Sequence, residues 1–220
     1  MVLLNSLVNK LGRWIGLDIR YYGKNAFYLT LAQVALLIAS LALSMAFARL
    51  TSKEIYGQYN YIMAILGLLS LFSLPGMTTA IVRSVARGYD YTFVRGVRAR
   101  LRWSLIGSLI TFCLGIYYYQ FVGSTALGKS FIIASFLFPF FSTAETFLSF
   151  FYGKSQFARA SYYHSAARLA SVIAPIVLMW MLKDLFFIIL AYLVSFSFFN
   201  YFFLVKVALS RGLNKEVDEE

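Results

Sequence analysis

Six runs of mostly apolar residues divide this 220-residue chain and leave it few folds to choose from. They cover residues 26–48, 57–82, 102–121, 130–152, 161–182 and 185–207. About 20 helical residues cross a bilayer core of about 30 Å. No water reaches that core, so backbone polar groups must pair internally, in helices or in a closed barrel. The runs lack the strict alternation of barrel strands, so helices are expected. A chain that is 60% hydrophobic, with mean hydropathy +0.72, also has more apolar surface than a soluble domain can hide. The expected fold class is all-α: a polytopic membrane bundle of six transmembrane helices. The second run spans roughly 39 Å at the helical rise, so it is expected to tilt, or to bend near Pro75 and Gly76.

Residues 1–24 read as an amphipathic helix lying in the cytoplasmic interface. Leu3, Leu4, Leu7, Val8, Leu11, Trp14 and Ile15 fall on one face, with Asn5, Ser6, Asn9, Lys10 and Arg13 on the other. The segment lacks the compact apolar run and small-residue cleavage site of a signal peptide. Residues 25–208 then form the six-helix lobe, and 209–220 a polar, acidic cytoplasmic tail or the beginning of a loop between lobes. With the amino terminus inside, sixteen Lys and Arg fall on the cytoplasmic side and four (Arg49, Lys53, Lys129 and Lys183) outside. The positive-inside rule therefore places both ends in the cytoplasm of a cell whose cytoplasmic membrane holds the protein. Trp103, Tyr117 to Tyr119 and Trp180 fall near span ends, where amphipathic rings prefer to sit.

The formal net charge of +11 does not indicate nucleic-acid binding, because the basic residues lie between apolar runs, at a membrane face. Catalysis has little material. His164 is the only histidine, and the lone Cys113, expected to be a small buried side chain, can form neither an internal disulfide nor a cysteine cluster. Asp18, Glu54, Asp90, Glu145 and Asp184 are too scattered for an acidic metal motif, and no glycine-rich phosphate loop follows a strand. No catalytic residue, metal or cofactor is assigned, and the chain reads as a non-enzyme.

Polar groups inside the spans carry the information. Glu145 is the one acid within a span, beside a stripe of Ser135, Ser142, Thr146 and Ser149. The fifth span carries Ser161, Ser165, Arg168, Ser171 and Pro175. Charge at such depth usually faces a bundle interior or a wet cavity. Glu145 and Arg168 lie at similar depth on consecutive spans. They are either a fixed ion pair or a cavity pair whose partners change between states. Pro75, with Gly76, is a hinge or a static kink, as are Pro139 and Pro175. Ala35, Ala39, Ala42 and Ala46 are spaced for close helix contact. The stretch Arg83 to Arg102, read as a loop with six arginines, suits a topology signal with attraction to anionic lipid, or recruitment of an anionic headgroup.

Two segments, GLDIRYYGKNAFYLTLAQV and FARLTSKEIYGQYNYIMAILGLLSLFSLPGMTTAIVRSVARG, resemble the amino-terminal part of Wzx-type polysaccharide flippases of the multidrug/oligosaccharidyl-lipid/polysaccharide exporter superfamily. Arg49, Leu50, Glu54, Tyr56 and Gly57, then Pro75, Gly76, Arg83 and Ala86, carry the match. A weaker echo is FLSFFYGKSQFARASYYHSAARLASVIAPIVL. The resemblance implies one lobe of a two-lobed bundle that flips a polyprenyl-diphosphate-linked saccharide by alternating access. It implies as partners the lipid bilayer, that saccharide, and a second six-helix lobe or polysaccharide assembly proteins. Arginine suits a diphosphate because its planar fork donates paired hydrogen bonds. Arg168 and Arg49 are then candidates for cavity contacts, Arg83 for the inner mouth and Glu145 for ion coupling. For Arg49 a side chain snorkelling to the interface is the competing reading. The competing functions are export of an amphipathic cation, which predicts an acid-dominated cavity, and a non-transporting scaffold.

Overall fold

A computed structural model describes residues 19–210, and its described residues contain no strand. Among the described residues eight α-helices run as α1 Ile19–Leu50, α2 Lys53–Leu69, α3 Gly76–Ala86, α4 Thr92–Gln120, α5 Thr125–Thr143, α6 Phe147–Gly153, α7 Phe157–Met181 and α8 Leu185–Ser210. Short 3-10 turns at Ser70–Ser73 and Ala144–Thr146 join α2 towards α3 and α5 to α6. Among the described residues six helical stretches are long and apolar enough to cross a membrane. Of the interfacial helix expected over 1–24 only residues 19–24 are described, and they belong to α1; residues 211–220 of the expected tail also lie outside the described residues.

The span boundaries follow local chemistry. α2 begins four residues before its apolar run, because the Ser52 hydroxyl caps it by accepting from the Ile55 N–H at 3.3 Å. Glu54 in its first turn suits the positive end of the helix dipole. The second span does break where the proline predicts. However, the residue in an unusual conformation is Leu74, left-handed at φ 53° and ψ 69°, and not Gly76. Pro75 is the N-cap of α3, where its missing N–H costs nothing.

The arginine-rich stretch is not a loop. α3 reaches Ala86, a short turn with Gly88 at φ 97° reverses the chain, and α4 begins at Thr92. Hydropathy places the third span ten residues too late because Arg95, Arg98, Arg100 and Arg102 lower the average. Yet Phe93 and Val94, just before the first of them, and Val97 among them fall at helical spacing and are buried.

α4 and α5 pack backbone to backbone. A Cβ on Gly115 would stand 2.9 Å from the Ile132 nitrogen and 3.2 Å from the Gly128 oxygen, atoms that cannot yield. Gly115→Ala is therefore expected to lower the thermal unfolding midpoint of the detergent-purified protein, by about 1–3 kcal/mol in stability. Gly57→Ala, whose Cβ meets nothing within 4 Å, should not. Pro139 in α5 cannot donate to the Ser135 carbonyl, and the Ser108 hydroxyl of α4 donates to that oxygen instead, at 2.5 Å. α1 packs along α7, and of the predicted alanine stripe Ala39 is buried and Ala35 and Ala46 are half-buried, while Ala42 is exposed. Cys113, expected to be buried, is exposed on the outer surface of α4, where lipid accepts a small apolar thiol.

Two apolar cores result. One gathers Phe47, Tyr59, Ile62, Leu66, Phe138 and Ile188 towards the α1–α2 turn. The other gathers Ile81, Val85, Phe93, Phe147, Phe150 and Leu204 at the arginine-rich end. The two helix breaks lie between them.

Candidate functional site

At the level of the breaks a cavity of about 600 Å³ opens, within the usual ~300–1,000 Å³ range of ligand sites. Its wall takes Thr78 and Thr79 from α3, Ser142 from α5, Ser149 and Tyr152 from α6 and Phe196 from α8. Its charged lining is Arg100 from α4, Glu145 from the second 3-10 turn and Arg168 from α7.

Arg100 is the residue that sequence reasoning missed. It is 9% exposed and lies well inside α4. Its Nε donates to the Ser73 carbonyl at 3.0 Å, and its Nη1 to the Thr146 hydroxyl at 2.7 Å. Its Nη2 donates to the Ser73 hydroxyl at 3.1 Å and to the Ser142 carbonyl at 2.9 Å. The carbonyls at a helix C-terminus have no partner within the helix, and the dipole makes that end negative. One guanidinium therefore satisfies the ends of two broken helices, which explains how the breaks are tolerated where water is scarce. All four acceptors are neutral.

A usable signal was present. Phe93, Val97, Arg100, Ser104, Gly107, Thr111 and Gly115 follow one another at intervals of three or four and form the buried face of α4. Leu105, Ile106 and Leu109 face outward. Small and polar residues mark the inward face of a membrane helix, and only one of the four arginines on α4, Arg100, falls in that register and is buried.

Glu145 and Arg168 share the cavity but do not pair with each other. Glu145 Oε1 lies 3.4 Å from His164 Nε2, with side-chain exposures of 44% and 13% respectively. Arg168 donates to the Tyr192 hydroxyl at 3.4 Å, and its guanidinium stands 5.0 Å from the centroid of the Phe196 ring. Such a cation–π contact holds the charge without neutralising it. The cavity therefore presents two arginines against one carboxylate that already has a partner.

Arg49 and Arg83 are placed elsewhere. Each is exposed in the last turn of its helix, α1 and α3, where a cation suits the negative dipole end, and neither lines the cavity. Pro75 and Gly76 stand at the first break and neither lines the cavity; a Cβ on Gly76 would meet nothing within 4 Å. The stripe of the fifth span divides: Arg168 faces the cavity, while Ser161 and Ser165 line an apolar groove between α1 and α7.

Among the described residues no group of three or more His, Cys, Asp or Glu is placed to hold a metal ion. No curated protein and no solved structure matches the chain. The family model described as polysaccharide biosynthesis protein matches residues 22–211, which takes in all six spans and every residue lining the cavity. The chain belongs to the polysaccharide biosynthesis protein family.

Proposed function

We propose that this chain is one lobe of a flippase that carries a lipid-linked oligosaccharide across the cytoplasmic membrane, with Arg168 and Arg100 receiving the diphosphate. The observation that supports it is the charge of the cavity: two guanidinium groups face one His-paired carboxylate midway between two apolar cores. An anionic headgroup has to cross an apolar layer, and arginine recognises phosphate with a bidentate fork. The excess of arginine speaks against an exporter of amphipathic cations, which calls for an excess of acid.

On this reading both termini are cytoplasmic, the arginine-rich end faces the cytoplasm, and a second six-helix lobe covers the open side of the cavity. The two lobes rock about the site to give alternating access. The chain works as a carrier on this reading.

The test uses the native assembly purified through this chain and reconstituted in vesicles with a fluorescent undecaprenyl-diphosphate saccharide. The labelled lipid is expected to reach the opposite leaflet faster than a labelled phosphatidylcholine. Equal rates with protein-free vesicles would remove the flippase reading.

A further inference from the structure

Arg100 binds both helix breaks from an unbroken helix, and the helices that follow those breaks pack on each other. α3 and α6 are locked to each other: a Cβ on Gly153 would stand 2.7 Å from Val85 Cβ and 2.9 Å from the Val82 carbonyl. The turns that follow them are tied by Lys154 Nζ to Asp90 Oδ1 at 2.6 Å. Both helices share an apolar core with Phe93, Val94 and Val97 of α4 and Leu204 and Val207 of α8, and this core is separate from the one on the other side of the breaks. At the first break Leu74 already holds a left-handed backbone that a leucine rarely adopts.

We propose that Arg100 is a latch, fastening the paired helices α3 and α6 at their breaks and releasing them when an anionic headgroup draws its guanidinium into the cavity. The proposal rests on the reading of the cavity as a diphosphate site. Arg100 is a positioning residue for the gate and the sensor of its ligand.

The chemistry favours the exchange. In the latched state the guanidinium meets two carbonyls and two hydroxyls, all uncharged. Hydrogen bonds to an ionised oxygen are shorter and about twice as strong as neutral ones. Arg100 already lines the cavity, so a phosphate there competes directly for its fork. A ligand shifts an equilibrium only through its difference in affinity for the two states. The latch provides that difference, because the guanidinium is engaged by the breaks in one state and free for phosphate in the other.

The test is a distance across the breaks in the full chain in lipid nanodiscs. Arg87→Cys at the end of α3 and Val122→Cys after α4 carry spin labels, with Cys113→Ser as background; positions 87 and 122 are exposed. α3 is about 16 Å long, so a swing of about 15° moves its tip by about 4 Å. The otherwise unmutated protein should give one narrow distance without ligand, and undecaprenyl diphosphate should shift or broaden it. Arg100→Lys keeps the charge but loses the fork, and Thr146→Val removes one acceptor at nearly constant shape. Both should show the shifted distribution without ligand, and the lipid should add little. A narrow, unshifted distribution in both variants would overturn the latch. So would undecaprenyl diphosphate that binds, by a separate titration, without moving the distance. A protein that binds no undecaprenyl diphosphate overturns the diphosphate reading and the release step with it, while the ligand-free variants still decide whether Arg100 is the clamp.

Discussion

Arg100→Ala is expected to destabilise the bundle by about 2–4 kcal/mol, read as a drop in the thermal unfolding midpoint of the detergent-purified protein. The substitution removes four hydrogen bonds, leaving the Ser73 carbonyl without its donor and the Ser142 carbonyl with only the Ser73 hydroxyl, at 3.5 Å. A buried acceptor deprived of its partner costs about 1–3 kcal/mol. Water entering from the cavity relieves part of that cost, which keeps the expected value below the sum for a dry site. Arg98→Ala, on the exposed side of the same helix, should change stability by no more than about 0.5 kcal/mol. Equal effects of the two substitutions would remove Arg100 from the framework of the fold.

Arg168→Glu should lower the flipping rate of the reconstituted assembly by at least about tenfold. A hydrogen bond to a charged group contributes about 1.5–3 kcal/mol, and every 1.4 kcal/mol is a factor of ten. The reversal also places a second carboxylate beside Glu145, so the cavity repels the diphosphate it is proposed to bind. Arg168→Ala, which only removes a contact, should fall between this variant and the unmodified protein. Arg49→Glu and Arg83→Glu should stay within about twofold, since both side chains sit at exposed helix ends away from the cavity. A loss at Arg49 as large as at Arg168 would show that the cavity is not where the headgroup binds.

Much of the architecture could be read from patterns along the chain. Long apolar runs gave six spans, because a bilayer demands internally paired backbone over a set length. Pro75 announced the first break, and Glu145 and Arg168 stood out as charges in oily surroundings. The second break, at Ala144–Thr146, follows Pro139 by only a few residues and was not expected, since a proline more often bends a helix than ends it.

The pairings were hidden. Nothing local says that Glu145 meets His164 and not Arg168, although all three lie in the segment from 145 to 168. Nor does a run of arginines reveal which one turns inward, because each lowers the hydropathy equally. The choice falls on Arg100 through the register of small and polar residues on α4, a signal that hydropathy averaging hides and that α5 then covers.

The order of residues by itself thus determined the solvent, the number of crossings and the places where a helix must yield, since these depend on chain-local costs of burying backbone and charge. Only the tertiary structure decided which charge answers which. Arg100 reaches 27 positions back to Ser73 and 46 forward to Thr146, and hydrogen bonds over such separations exist only after the helices have packed.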